Sequence, residues 1–206
     1  MNAVGDTSIE DQKKVIDALE SSYARISANL QATPDQPFNV YLYSGWLRYA
    51  KATGNWGASG SAEGSGKLHL SASQPDGEKA EVVAVHEFVH SVTLKLLLSH
   101  TPQPLNVADF DRKFTKFPVW LWEAIAVYEA NQFLHPNRLH FISKTSYPSL
   151  ADLSNRKQGG KIYKVGYTVI EYILAEHGRD ALVKLVLAYG DTNVLTGLCP
   201  SPTRCK

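Results

Sequence analysis

Apolar residues recur along this chain with two different periods, and the period predicts which segments are helices and which are strands. Near the start they fall mostly at three- and four-residue steps, which predicts an amphipathic helix over about residues 8–30. Alternation of apolar and polar residues then predicts strands over 38–43 and 67–72. Between the strands, a short helix or turn is predicted over about 46–52, followed by a glycine- and serine-rich loop over 54–66.

Helical spacing dominates the rest of the chain. Residues 78–100 carry apolar side chains on nearly every side, so this helix is expected to be buried. A second apolar helix is predicted over about 119–133, and a third over about 161–177. A fourth is predicted over about 179–189, with glycines as the stop signals of the last two.

Strands therefore come early and helices late, and no internal repeat or long linker divides the chain. This segregation predicts an α+β fold in a single domain that spans residues 1–206. Its sheet-containing part would cover about residues 1–100, its helical part about residues 101–198, and a short tail residues 199–206.

Composition narrows the class of protein. Hydrophobic residues make up 44% of the 206 residues and charged residues 20%, which excludes a mainly disordered chain. Lys and Arg number 21 against 20 Asp and Glu, with no block of like charge, so a nucleic-acid partner is not expected. No run of about 18 apolar residues occurs, so membrane insertion is not expected either.

Two features bear on the cellular compartment. The first six residues have neither the basic nor the apolar region of a signal peptide. Both cysteines, Cys199 and Cys205, lie in the last eight residues with two prolines between them. That arrangement suits a small local disulfide better than a catalytic thiol, and a disulfide favours a secreted or periplasmic location.

The strongest chemical signal is the sequence HEFVH at residues 86–90, inside the predicted buried helix. His86 and His90 are four residues apart and so about 40° apart around the helix axis, which lets both imidazoles reach one metal ion. Glu87 lies about 100° round from His86, in a position suited to a general base beside that ion. A chance HExxH is expected in roughly one chain in a hundred of this composition. Burying these polar groups among Val, Phe and Leu is nevertheless costly without a partner, which a metal would supply.

A zinc site with an open catalytic position needs a third protein ligand. The pattern HExxHxxGxxH does not supply it, because Thr93 and Leu96 stand at its last two defined positions. The second apolar helix carries two acids, Glu123 and Glu129, which lie about 240° apart around the axis and cannot both face one ion. We select Glu123, because valines one turn before and after it mark a buried face.

With these residues the chain resembles the gluzincin metallopeptidases, in particular small peptidase MA-like domains related to aminopeptidase-type and collagenase-type enzymes. In that group HExxH is followed, some tens of residues later, by a helix of the form W-L-x-E-G-x-A-x-Y. The residues that fit this form here are Trp120, Leu121, Glu123, Ala126 and Tyr128. Ala124 departs from the form by standing where the glycine usually does. The likeness covers most of the chain and implies a zincin-like fold with an active-site cleft between the sheet-containing and helical halves.

The resemblance also implies the roles of the site residues. One Zn²⁺ ion would be bound by the two histidines of the motif and Glu123, with Glu87 as general base and acid. A tyrosine near the start of the third predicted helix would hydrogen-bond the tetrahedral intermediate. Tyr163 is the best-placed match, and Tyr167, one turn later on the same face, is the alternative. The competing interpretation makes both tyrosines core residues with a hydroxyl at the surface.

The other five histidines carry weaker signals, because none has the HExxH spacing. His69 alternates out of phase with its apolar neighbours and is expected to be solvated. His100 and His177 fall at helix ends, where an imidazolium is favoured by the carbonyl-rich terminus. His135 and His140 lie in or near a predicted loop.

The predicted function is zinc-dependent hydrolysis of peptide bonds in a peptide or protein substrate. The substrate is expected to lie extended along residues 67–73 by backbone pairing. One alternative is a catalytically inert zinc-binding domain that acts as a protein- or peptide-binding module. Another is a metal-free structural domain. The sequence carries no signal for an oligomeric state.

Overall fold

The computed structural model describes residues 1–34, 37–74, 77–101, 116–134, 147–154 and 161–191. These residues form a mixed α/β fold with a small four-stranded sheet, consistent with the predicted α+β class. The elements in chain order are β1 (Asn2–Val4), α1 (Ile9–Leu30), β2 (Asn39–Tyr43), α2 (Trp46–Thr53), β3 (Gly60–Glu63), β4 (Lys67–Ser71), α3 (Ala80–Leu97), α4 (Val119–Glu129), α5 (Leu150–Ser154), α6 (Ile162–His177) and α7 (Arg179–Gly190).

Some predictions concern parts of the chain that lie outside the described residues. They include the disulfide between Cys199 and Cys205, and the placement of His135 and His140 in a loop. Within the described ranges, no helix has both the length and the apolar character needed to cross a lipid bilayer.

The sheet has the strand order β1-β2-β4-β3. β1 pairs with β2 and β2 with β4 in parallel, whereas β3 runs antiparallel to β4. Tyr41 stands opposite His69, and Leu42 stands opposite Leu70. Because successive side chains point to opposite faces, the two leucines lie on a fully buried face, and Tyr41 and His69 lie on the other.

β3 corrects the expectation of a continuous loop over residues 54–66. Glycine and serine give little strand signal in sequence, so this strand is formed by its pairing with β4 rather than by local preference. In the sheet as described, β3 is an edge strand, and β4 has a partner strand on each side. β4 therefore has no edge at which a further strand could pair, whereas β1 and β3 stand at the two edges of the described sheet.

Helix α1 begins and ends close to the predicted boundaries, because Ser8 caps its first turn and Gln31 ends it. The Ser8 hydroxyl accepts a hydrogen bond from the Asp11 amide at 3.0 Å, which caps the first turn. Gln31 adopts a left-handed conformation and ends the helix. Val15 and Ile26 are fully buried on the inward face.

Helices α3 and α4 carry the predicted chemistry, and both are apolar on nearly every side. In α3, the residues from 83 to 86 and from 88 to 94 are buried, while Glu87 is partly exposed. In α4, the residues from 124 to 127 are buried as well. Helices without a polar face form where neighbouring elements cover them on all sides.

The described chain divides into two compact units. The first comprises Met1–Lys95 with Ala126–Gln132 and holds the whole sheet. The second comprises Leu96–Ile125 with Phe133–Lys206, and in it α6 packs against α7. The predicted single catalytic domain over residues 1–206 stays a prediction.

Candidate metal centre

Helix α3 brings two imidazoles together through the spacing of one helical turn. The side chains of His86 and His90 are buried, and their ring centroids lie 4.6 Å apart with the planes nearly perpendicular, at 87°. The pair therefore presents ring nitrogens to one side of the helix.

Glu123 on α4 completes a group of three potential ligands. One ligand atom from each of His86, His90 and Glu123 lies within 4.8 Å of the other two. His90 Nδ1 and Glu123 Oε2 are both buried from solvent. Two imidazoles and a carboxylate suit zinc and other divalent first-row ions, and three protein ligands leave a coordination position for chemistry. This buried His-His-Glu group could hold a metal ion.

The hydrogen bonding of His86 fits a metal ligand. His86 Nδ1 lies 2.6 Å from Gln132 Oε1, an amide oxygen that can only accept, so Nδ1 carries the proton. The neutral ring then has its lone pair on Nε2, the atom that would bind the ion. Metal-binding histidines almost always donate their other ring N–H to a protein acceptor in this way.

Gln132 is a site residue that the sequence analysis missed. Asn131, just past the end of α4, adopts a left-handed φ of 55°, which asparagine tolerates better than most residues. The turn lets the Gln132 backbone N–H bond to the Val127 carbonyl at 3.0 Å. The Gln132 side chain also donates from Nε2 to Glu78 Oε1 at 2.8 Å. The only signal in the sequence that could have pointed to Gln132 is the preceding asparagine, which marks the end of the helix.

Glu87 is the next residue after the first histidine, and it faces the edge strand β3. A β-carbon at Gly60 would lie 2.9 Å from Cγ and 3.2 Å from Oε1 of Glu87. Glu87 is not one of the three potential ligands among the described residues, and its role as a base stays a prediction.

Glu129, the competing acid of the sequence analysis, has a structural role. Its side chain is fully buried, and Oε2 accepts hydrogen bonds from Arg25 Nη1 at 3.0 Å and from Asn29 Nδ2 at 2.8 Å. Arg25 Nη2 also donates to the Glu129 backbone carbonyl at 2.8 Å. These bonds hold the end of α4 against α1, so Glu129 anchors the helix that carries Glu123.

The two candidate tyrosines have different surroundings at the start of α6. The Tyr163 side chain is about half exposed. Tyr167 is buried, its ring packs 5.1 Å from that of Phe133, and its hydroxyl donates to the Leu134 carbonyl at 3.5 Å. Burial raises the pKa of the Tyr167 hydroxyl. The Tyr167 hydroxyl is thus engaged with the backbone, and a catalytic role for either tyrosine stays a prediction.

Ala124 on α4 lies close to Gly166 on α6. A β-carbon at Gly166 would lie 3.2 Å from the Ala124 β-carbon and 2.6 Å from Ile162 Cδ1. The contact with Ala124 thus depends on the absence of a side chain at Gly166 in α6. Close packing behind Glu123 is kept without a glycine in α4.

His69 corrects the expectation of a solvated side chain. Only 16% of the side chain is exposed, and its ring stacks on Tyr41 with centroids 5.0 Å apart. Nε2 donates to Glu63 Oε2 at 3.1 Å, and Nδ1 lies 3.0 Å from the Tyr43 hydroxyl, which donates to it when the ring is neutral. Of the other described histidines, His100 follows the end of α3 and His177 ends α6, as predicted.

Comparisons of the chain with models of known protein families, with curated proteins and with solved structures found no match.

Proposed function

We propose that the protein is a zinc-dependent metallopeptidase of the gluzincin type with a zincin-like fold. The observation that carries the proposal is the His-His-Glu group, in which a second apolar helix brings a carboxylate within 4.8 Å of both histidine ligand atoms of the HExxH helix. If HExxH were a chance sequence in a structural helix, nothing would require a carboxylate to lie this close to the two histidines. A catalytic zinc site does require a third protein ligand at this position.

In this proposal the three ligands and Glu87 have different roles. His86, His90 and Glu123 hold the ion, which when bound supplies a Lewis acid that polarises the scissile carbonyl and acidifies water. Glu87 accepts a proton from the attacking water while the water oxygen bonds to the carbonyl carbon. When the C–N bond breaks, the same carboxyl gives that proton to the leaving amine.

A tyrosine hydroxyl is the proposed donor to the oxyanion that develops on the substrate. Tyr163 is the first candidate because its side chain is accessible. The Tyr167 hydroxyl already donates to the Leu134 carbonyl, so that bond would have to break first.

The proposed substrate strand is β3, which changes the expectation drawn from sequence. Residues 67–71 form β4, whose backbone pairs with β2 on one side and β3 on the other, so pairing of a substrate with β4 is wrong. β1 and β3 are the two edge strands of the described sheet, and Gly60 of β3 lies against Glu87. An extended peptide added beside β3 would run next to the proposed general base.

The proposal is tested by metal content and peptide cleavage on protein purified without added metal. We expect about one equivalent of zinc and cleavage of a mixed peptide library by the wild type. Glu87→Gln should keep the metal and lose turnover by about 10²- to 10⁴-fold. Glu123→Ala should lose metal affinity. Glu81→Gln, an acid-to-amide change on the same helix, is the matched control and should change neither quantity.

Each alternative has its own outcome in this experiment. Wild-type hydrolysis by Glu87→Gln would contradict the mechanism. Zinc binding without cleavage across broad libraries would favour the inert peptide-binding module. Protein that neither carries nor takes up zinc would favour the metal-free structural domain.

A further inference from the structure

Three side chains from separate parts of the sequence form a continuous hydrogen-bonded chain, Glu78–Gln132–His86. Gln132 Nε2 donates to Glu78 Oε1 at 2.8 Å, and Gln132 Oε1 accepts from His86 Nδ1 at 2.6 Å. A carboxylate can only accept, so Glu78 fixes which end of the amide faces His86. The donor and the acceptor in both hydrogen bonds are therefore determined.

We propose that Gln132, oriented by Glu78, is a positioning residue that holds His86 in its metal-binding tautomer. The inference rests on the proposed function, because it assigns these two residues to the same zinc site. With the proton on Nδ1, the lone pair of His86 is on Nε2, and the ring cannot rotate without breaking a 2.6 Å bond. The opposite tautomer would present an N–H to the ion and could not ligate it.

The backbone around Gln132 is itself fixed, which makes the acceptor a permanent part of the site. Asn131 turns the chain at φ 55°, and the Gln132 amide N–H bonds to the Val127 carbonyl at 3.0 Å. Glu129, three residues earlier, is tied to Arg25. The acceptor for His86 is thus held by backbone contacts that do not involve an ion, as a preorganised site requires.

In this arrangement Gln132 contributes to the metal affinity of the site, although it is not a ligand. Loss of such a hydrogen-bond partner typically lowers metal affinity by about 10- to 100-fold. A carboxylate at the same position would keep the acceptor and increase the basicity of the imidazole. The effect of a substitution should therefore follow the acceptor and not the size of the side chain.

The experiment compares four proteins: wild type, Gln132→Leu, the exchanged pair Glu78→Gln/Gln132→Glu, and the control Gln12→Leu. Gln12 is another partly buried glutamine, whose amide donates to Thr7 and lies at the start of α1. The Zn²⁺ dissociation constant is measured by competition with a chromophoric chelator. Nitrogen-15 NMR of the histidine rings in metal-free protein reports which nitrogen of His86 carries the proton. Thermal unfolding checks that each variant is folded.

We expect Gln132→Leu to bind Zn²⁺ about 10- to 100-fold more weakly and to lose the Nδ1–H tautomer of His86. The exchanged pair should keep the tautomer and bind at least as tightly as wild type, and Gln12→Leu should match wild type. Wild-type affinity and tautomer in Gln132→Leu would overturn the inference and leave the peptidase proposal standing. If the wild type binds no Zn²⁺, the peptidase proposal and the role in metal affinity both fail. If Gln132→Leu does not fold, a loss of the tautomer or of affinity in the exchanged pair still overturns the inference.

Discussion

Gly60 on β3 and Glu87 on α3 approach so closely that the space between them has no room for a side chain. A β-carbon at position 60 would lie 2.9 Å from Cγ and 3.2 Å from Oε1 of Glu87, and 2.5 Å from Cγ1 of Val83. The edge strand therefore limits where the Glu87 carboxylate can lie.

We expect Gly60→Ala to impair catalysis while the metal stays bound. The added methyl group would displace the Glu87 carboxylate, and a displacement of about 1 Å at a reacting group can cost about 10²-fold in rate. Steady-state kinetics and zinc content measure the two effects separately. Gly57→Ala is the control, because a β-carbon there meets nothing within 4 Å. Wild-type kcat in Gly60→Ala would show that the contact does not position the base.

Arg25 is expected to contribute to stability through the buried carboxylate of Glu129. Arg25→Met removes the cation and two hydrogen bonds, and bonds to charged groups are worth about 1.5–3 kcal/mol. The free energy of unfolding, measured in urea, should fall by about that amount. Lys13→Met breaks an exposed ion pair with Asp17 and should leave the free energy of unfolding nearly unchanged. Equal effects of the two substitutions would contradict an anchoring role.

The packing of Ala124 against Gly166 predicts a non-additive pair of substitutions. Gly166→Ala should destabilise the protein by about 1–3 kcal/mol, because its methyl group would meet Ala124 and Ile162. Ala124→Gly alone should cost about 0.5–1 kcal/mol through helix propensity. The double variant should be more stable than the sum of the single effects by about 0.5 kcal/mol or more. Additive values in a double-mutant cycle would exclude the contact as the cause.

Glu63 should give a small dependence of stability on pH. Hydrogen bonds from Lys67 and then His69 hold the pKa of Glu63 below its ordinary value of 4.5. A lowered folded-state pKa contributes stability above the unfolded pKa, and this contribution is lost as the pH falls through the folded pKa. The stability difference between wild type and Glu63→Gln should therefore shrink as the pH is lowered below 4.5. The pair is exposed, so the difference should stay under about 1 kcal/mol, and Lys67→Met should remove most of its pH dependence.

The parts of the fold and site that the sequence predicts are those encoded by local patterns. Helices α1, α3 and α4 follow from spacing and apolar content, and the two histidines of the candidate site follow from a four-residue step. Glu123 follows from the valines one turn before and after it, which mark a buried face of the helix. Each of these inferences uses residues within one or two turns of each other.

The parts that sequence does not predict depend on contacts between distant segments. β3 is a strand because β4 pairs with it, although its glycine and serine favour a loop. Gln132 reaches His86 only because α4 ends with a left-handed turn, and His69 is covered by tyrosines of another strand. The pattern of residues within one segment does not indicate such contacts with distant segments.

The close approach of α4 and α6 has a consequence for recognising relatives of this chain. A β-carbon at position 166 would meet Ile162 of its own helix as well as Ala124 of α4, so a smaller residue at position 124 would relieve only one of the two contacts. Chains that share this helix contact should therefore keep glycine at position 166 whatever small residue stands at position 124. A search for such chains should weight position 166 more heavily than position 124.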